Sequence, residues 1–478
     1  MSDYTDERAW AEQEFGLAEL GNLGRLKRLI AIGERVAAAP GGKITEVFTD
    51  SASREGAFRF VQNDLVSEEE LMQAAHLACA ERSNAYEFAY VPVDQTSLNL
   101  TDEAGGKGLG DVGRSCDSAR GLQVMTAIAI SPDGTPLGIS GQSFWARQVG
   151  PKKSPQDRAR QLPSEKETQR WLDVIAQTRE DFAMMAPTTR PWFQLDAGAD
   201  AWPILVDAVG SEGWLTVRAC RDRRLETPSQ ESQHYLWATM EREEPLGDYL
   251  LDVPATQKRK ARRARMTIRA RRVTLDLKDR RTEKHFPLDV WAVLAREEGT
   301  TPSGEDPLEW LLLTTYPVHG LEAAHAVVLG YSQRWRVEDF HKAWKSGACR
   351  VEENQLRDYQ HIVIWAAILA SVAMRIVRLT WLSRNAPELP ATVELTQPEI
   401  DATILASSTT KYRPGDVPTI AEAVLWIARE GGYTGKSSGG PPGVLVIARG
   451  LKGLRVLARV LSHAPATVKS SSPTRKKK

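Results

Sequence analysis

The sequence predicts an α/β fold: a mixed sheet interrupted by a β-rich insertion and flanked at both ends by all-α segments. Three observations carry this expectation. Residues 6–64 repeat apolar positions at helical spacing, residues 86–219 pass from β-type runs to strand–helix–strand units, and the chain beyond about 320 returns to helical periodicity. At 478 residues the chain exceeds what one hydrophobic core serves, so more than one domain is expected.

Residues 6–64 read as three short helices. The second places Leu23, Leu26, Ile30, Gly33 and Val36 on one stripe and turns Arg25, Arg28 and Arg35 elsewhere, giving a basic-faced helix. The third is announced by Thr49, Asp50 and Ser51 as candidate N-caps and runs through Glu55-Gly-Ala-Phe-Arg-Phe60, which includes Arg59. A small helical unit of this kind suits nucleic-acid binding and internal packing equally.

From residue 86 the pattern changes to strands at Glu87–Val93, Leu122–Ile130 and, after the turn Ser131-Pro-Asp-Gly134, Thr135–Phe144. A helix follows, opened by Ser164 with Glu167 as a capping box and running to about Met185. Trp192–Leu195, a short helix and Trp214–Ala219 then form a parallel unit with right-handed crossover. Three antiparallel strands followed by parallel β-α-β units describe a ribonuclease-H-like sheet.

Residues 221–320 interrupt that scheme with basic hairpins and the strand from Trp310 to Thr315, and they read as an insertion. A long helix is expected over Ala323–Ala348, and the remainder is helical with a Gly/Ser/Pro-rich break at 431–443. The last helix lines up Ile447, Leu451, Leu454, Ala458 and Leu461, a face suited to a core or to a dimer contact. The expected units are a helical one at 1–70, the ribonuclease-H-like sheet with its insertion at 71–375, a second helical one at 376–465 and a basic disordered tail at 466–478.

The formal net charge is zero, yet basic residues crowd 258–272, Arg263 and Arg265 among them, and again at the C-terminus. The tail reads as a solvated arm. The internal run passes directly into the strand-like Val273-Thr-Leu-Asp-Leu277, so its charge belongs to an ordered hairpin suited to phosphate. Four dispersed cysteines without a C-x-x-C pair exclude a disulfide framework and a zinc knuckle and fit a reducing cytoplasm. The acidic N-terminus excludes a standard secretory signal, and the apolar run Ile362–Met374 is too short to cross a bilayer, so no membrane partner is expected.

Asp94 follows the strand Tyr90-Val-Pro-Val and Asp196 ends the strand Trp192-Phe-Gln-Leu, so a sheet can bring both carboxylates side by side. Hard divalent cations take oxygen ligands, and carboxylates shared between two such ions suit in-line displacement at phosphorus. A third acid is available in Tyr331-Ser-Gln-Arg-Trp-Arg-Val-Glu-Asp-Phe-His-Lys-Ala-Trp-Lys345, where Tyr331, Arg334, Glu338 and Lys345 share one helix face. Spacing alone equally describes a charged surface helix.

That segment resembles the Y-(2)-R-(3)-E-(6)-K signature of the insertion-sequence-four family of bacterial DDE transposases, and His341-Lys-Ala-Trp-Lys345 is similar to one branch of it. Glu55-Gly-Ala-Phe-Arg-Phe60, Asp94-Gln-Thr-Ser-Leu98, Asp196-Ala-Gly-Ala-Asp200 and Trp310-Leu-Leu-Leu-Thr314 add to the likeness, which thins beyond about residue 385.

The resemblance implies a cut-and-paste enzyme whose partner is double-stranded DNA, at the transposon ends and at the target, acting as a homodimer in a synaptic complex, with DNA binding by 1–70, catalysis by 71–375 and dimerisation by 376–465. It implies that Asp94, Asp196 and Glu338 are catalytic and bind two Mg2+ ions, with Mn2+ able to substitute. Tyr331, Arg334 and Lys345 become contacts to the 5′-phosphate side of the cut end. Trp310 becomes the aromatic that stacks a flipped base, and Arg218 falls in a region that approaches DNA. Arg25, Arg28, Arg59, Arg263 and Arg265 are further candidates for DNA contact.

Two alternatives remain at this point: a catalytically silent protein that binds transposon ends, and a ribonuclease-H-like nuclease without end specificity. Ala197-Gly198 departs from the charged pair of close relatives. Gly108-x-Gly110-x-x-Gly113 satisfies a dinucleotide fingerprint but lies between antiparallel strands with no helix after it, so it reads as a loop.

Overall fold

The central strand, β1 (Phe88–Asn99), organises the sheet because it pairs on both sides. A computed structural model describes residues 7–463 apart from 103–104, 113–118, 149–153, 155–160, 163–165, 227–234, 254, 256–258, 280, 300 and 436–439. The basic tail, Ser164 and Gly113 therefore lie outside the described residues.

The N-terminal segment holds four helices where three are expected: α1 (Glu7–Phe15), α2 (Leu23–Ala38), the single turn α3 (Ile44–Val47) and α4 (Ser51–Val61). Asn22 caps α2 by accepting from the Arg25 amide at 2.9 Å, and Asp50 caps α4 by accepting from the Ser53 amide at 2.8 Å. The apolar stripe of α2 buries Ile30, Gly33 and Val36 but leaves Leu23 exposed. Gly33 is needed for close approach, since a Cβ there would meet the Phe15 ring at 2.8 Å. Helix α5 (Glu68–Ser83) then leads into β1.

The expected antiparallel start is present: β3 (Arg120–Ile130) pairs antiparallel with β1 and with β4 (Pro136–Trp145), and β2 (Gly110–Asp111) extends β3. Helix α6 (Thr168–Met185) crosses to β5 (Arg190–Leu195), and α7 (Trp202–Ala208) crosses to β6 (Trp214–Arg218), making β1, β5 and β6 parallel. This is the mixed sheet of the ribonuclease-H-like fold.

The insertion is not a separate layer. After α8 (Leu236–Arg242) come β7 (Gly247–Val253), β8 (Arg262–Lys278), β9 (His285–Glu298) and β10 (Glu309–Thr314), and β10 pairs antiparallel with β6. One ten-stranded sheet results, in the order β2-β3-β1-β5-β6-β10-β9-β8-β7 with β4 on β3. The physical reason is the apolar run Trp310–Leu313, buried on both faces as an interior strand requires. On β8, alternation buries Ala264, Met266 and Ile268 and turns Arg263 and Arg265 outward, while Arg262 on the inner face pairs with Glu297.

The long helix expected at 323–348 is two helices, α9 (Leu321–Ser332) and α10 (Trp335–Lys345). Between them the backbone tightens to i→i−3 bonds, Gln333 to Gly330 and Arg334 to Tyr331 at 3.0 Å each. The following helices are α11 (Tyr359–Asn385), α12 (Gln397–Ser407), α13 (Ile420–Glu430) and α14 (Val444–His463). At 27 residues α11 is twice the apolar run read from the sequence, and it is long and apolar enough to cross a membrane, yet 94% of its most apolar stretch is buried within the fold. The division expected at 375 falls inside it. On α14 the apolar stripe Ile447, Leu451, Leu454 and Ala458 is core, while Val456 and Val460 face outward.

Between α5 and α6, Gln73 and Gln177 donate to Asp181 Oδ1 at 2.5 and 3.0 Å. His76 Nδ1 lies 4.0 Å from Asp181 Oδ2, both atoms buried and without another partner among the described residues. Burial pushes the Asp181 carboxyl up to about 6 and the His76 imidazole down to about 4. A carboxyl raised on folding favours the folded state most below its unfolded pKa, and that contribution is lost as pH rises through the folded value. Asp181→Asn is therefore expected to gain on the wild type as pH rises from about 4 to 6 and to be the more stable by about 2 kcal/mol at pH 8. Urea denaturation of both proteins at pH 4 and 8 checks this, and an unchanged difference between the two pH values speaks against it.

Candidate active site

The parallel register of β1 and β5 sets Val93 opposite Leu195, which brings Asp94 and Asp196 to adjacent positions on neighbouring strands. Asp94 stands inside β1, which continues to Asn99, rather than after the strand as its sequence suggests. Asp196 follows β5 directly, and its Oδ1 accepts from the Gly198 amide at 2.8 Å. The nearby Asp200 is committed elsewhere, accepting from the Cys220 amide at 2.9 Å and from Arg223 Nε at 3.0 Å.

Helix α10 packs against β1 and supplies Glu338. Arg334, at the tightened junction of α9 and α10, bridges the acids: Nη1 donates to Asp94 Oδ2 at 3.2 Å and Nη2 to Glu338 Oε1 at 2.7 Å. Burial pushes the Asp94 carboxyl up to about 6; the Arg334 guanidinium opposes the shift, and the charges of Asp196 and Glu338 add to it. The three acids thus share one field. An all-oxygen donor set whose members raise one another's charge cost fits a hard divalent cation, although among the described residues no three His, Cys, Asp or Glu side chains already close as a metal cage.

Tyr331 is buried, which raises its phenol, while the charges of Arg334 and Arg218 oppose the rise. Arg218, at the end of β6, reaches the Glu309 carbonyl at 3.5 Å. Lys345 approaches Thr96 Oγ1 at 3.4 Å and Glu352 at 3.5 Å, on the same face of β1 as Asp94. Tyr331, Arg334, Glu338 and Lys345 are therefore gathered with Asp94 and Asp196.

Trp310 on β10 meets Tyr331 and Trp335 edge-on, with ring centroids 5.8 and 5.9 Å away, and is only 6% exposed. Trp335, which sequence reasoning missed, is 48% exposed beside Arg334. Its signal was the dipeptide Arg334-Trp335, hidden by reading one continuous helix. Glu352, the partner of Lys345, was missed for want of any local pattern.

The other candidate arginines contact groups other than the three acids. Arg25 donates to the carbonyls of Leu20 and Leu65, holding a loop, and Arg28 packs against Gly56. Arg59 pairs with Glu55 at 2.8 Å on an exposed helix face. Arg263 and Arg265 pair with Asp252 and Asp248 at 3.8 and 3.0 Å, and Arg271 and Arg272 likewise pair with Glu243 and Asp289. Acids on neighbouring elements offset much of this basic run. His341 is buried, which holds its imidazole down at about 3.

Comparison with known families gives the class of protein. Residues 7–66 match the family model described as Transposase DNA-binding, residues 235–375 that of the Transposase DDE domain, and residues 371–470 that of the Transposase Tn5 dimerisation domain. In this order they define a DDE transposase, a divalent-metal-dependent polynucleotidyl transferase and endonuclease that binds DNA and dimerises. Within that class the chain belongs to the Tn5-like transposases, the branch that the sequence around His341 resembles. The DDE match begins at residue 235, so Glu338 lies inside it and Asp94 and Asp196 before it.

The two tryptophans separate packing from exposure. Trp310→Ala is expected to cost about 3 kcal/mol of stability by emptying a buried site, and Trp335→Ala under about 1 kcal/mol. Denaturant midpoints of both variants decide this, and equal losses would contradict the assignment.

Proposed function

We propose that this transposase works by cut and paste, with Asp94, Asp196 and Glu338 as its metal-holding acids. The observation that carries the reading is the juxtaposition of Asp94 with Asp196 on neighbouring strands, together with the Arg334 bridge that ties Asp94 to Glu338. Two Mg2+ ions, replaceable by Mn2+, supply Lewis-acid stabilisation of the attacking and leaving oxygens.

The reaction is a series of displacements at phosphorus, each exchanging one P–O bond for another. Water first frees a 3′-hydroxyl at the transposon end; that hydroxyl attacks the opposite strand to close a hairpin. Water reopens the hairpin, and the same hydroxyl joins target DNA. The protein's own part is to hold the strand end still. Arg334 and Lys345 give it charged donors beside the acids, with Tyr331 buried against them, and Arg218 extends the basic rim.

A base released from the duplex meets Trp310 or, with its face already open, Trp335. Arg25, Arg28, Arg59, Arg263 and Arg265 serve duplex binding at a distance from the chemistry, and the offset charges of the β8 run favour the N-terminal helices for that task. We assign the protein to the cytoplasm of a bacterium, where it pairs two ends as a synaptic homodimer.

The presence of all three acids supports an active enzyme over a silent end-binding protein. In Mg2+ with DNA carrying the element's own ends, Asp94→Asn, Asp196→Asn and Glu338→Gln are each expected to lower cleavage at least about a thousandfold while leaving end binding within about threefold. Cleavage that survives any of the three removes that residue from the site. Equal cutting of unrelated DNA with no joined product would point to a nuclease instead.

A further inference from the structure

We propose that Arg334 is the resident cation of the three-acid site: it holds Asp94 and Glu338 together in the metal-free protein and must release at least one of them when a divalent ion enters. The inference rests on the reading of Asp94, Asp196 and Glu338 as metal ligands.

The guanidinium is placed as a bridge. One arm reaches Asp94 on β1, 240 residues earlier in the chain, and the other reaches Glu338 one helical turn ahead. The Arg334 side chain is 11% exposed and that of Asp94 17%, so this pair is shielded from water, whereas Glu338, at 42%, stands at the open side of the cluster. With Arg334 between them, the formal charge of the three acids and the guanidinium together is minus two rather than minus three, and the two contacts hold the Asp94 and Glu338 carboxyl groups on either side of one cation.

The same contact obstructs a metal. Asp94 Oδ2 and Glu338 Oε1 are oxygens that a shared cation would use, and Arg334 already donates to both. The acids are held within reach but not closed around a common point, in keeping with the absence of a ready-made cage among the described residues. Arg334 Nε is buried and finds no well-aligned acceptor among the described residues, and the buried Tyr331 side chain lies against the same guanidinium, so its two arms on the acids are its strong contacts.

Its position at the tightened junction of α9 and α10 ties its backbone to Tyr331 through the 3.0 Å bond from the Arg334 amide. An arm released there lies beside the acids and is free for a phosphate oxygen, which the planar fork suits. Metal loading and the grip on a DNA end are then coupled through one side chain. Arg334 acts as a positioning residue for the acids before it touches DNA.

The test is Mn2+ binding to the full chain without DNA, followed by titration calorimetry and by the EPR signal of free Mn2+. Arg334→Gln is expected to bind Mn2+ about tenfold more tightly and to melt lower without metal, with the ion restoring most of the loss. Lys345→Gln removes a nearby charge that does not bridge the acids, and it is expected to change the affinity by less than about threefold. Unchanged or weaker binding in Arg334→Gln, or an equal gain in Lys345→Gln, overturns the proposal.

Arg334→Lys keeps the charge but cannot fork; it too should bind Mn2+ more tightly, and it decides the matter should the glutamine variant not fold. Asp94→Asn tests the underlying reading separately. Loss of Mn2+ binding supports the three-acid site, whereas undiminished binding removes Asp94 from it whatever Arg334 does.

Discussion

The parallel pairing of β1 with β5 governs the site and much of the sheet around it. Parallel strands need a crossover, which α6 provides, and their register sets which residues stand side by side at the carboxyl ends. A slip of one residue would send Asp94 to the opposite face and separate it from Asp196. The slip is resisted by burial, because Val91 and Val93 pack on one side of β1 while Tyr90 and Leu98 pack on the other. Helix α10 then needs only to lie across β1 to bring Glu338 within reach of the pair.

Most of this was legible in the chain itself. The strand-like runs located β3, β4, β5, β6 and β10 to within a few residues, and the shift to parallel units placed Asp94 and Asp196 near one another. The helix motif joined Glu338 to Tyr331, Arg334 and Lys345 by spacing. Where the reading fell short, the missing information was tertiary. Nothing local to residue 94 says that its strand runs on to Asn99, because polar residues in an interior strand are allowed only by the pairing on either side. Nothing near Arg334 says that one arm belongs to Asp94, since the partner is 240 residues away.

The basic run of β8 shows the same limit from the other direction. Clustered arginines read as free positive charge, yet their partners sit on β7, on β9 and just after α8, outside the run itself. The junction of α9 and α10 was hidden for a different reason: no proline or glycine marks Gln333 and Arg334, and only the i→i−3 bonds reveal the tightening. That change of phase leaves Trp335 exposed beside the acids.

Helix α11 joins all parts of the molecule. Trp365 donates to the Gly42 carbonyl at 2.7 Å in the N-terminal segment, Trp344 of α10 donates to its Ala366 carbonyl at 3.0 Å, and Arg378 donates to the carbonyl of Pro136, the first residue of β4, at 3.0 Å. Arg375 binds Glu399 of α12 at 3.1 Å. During synthesis, residues 359–385 leave the ribosome before α12, α13 and α14 exist to cover them. For that interval the nascent chain displays a segment with the length and hydropathy of a membrane anchor, open to chaperones and to the targeting machinery that reads such segments. Until the last three helices form, only α2, α4, α5, α10 and β4 are there to cover it, so the order of synthesis leaves one side of the longest apolar helix to be closed last.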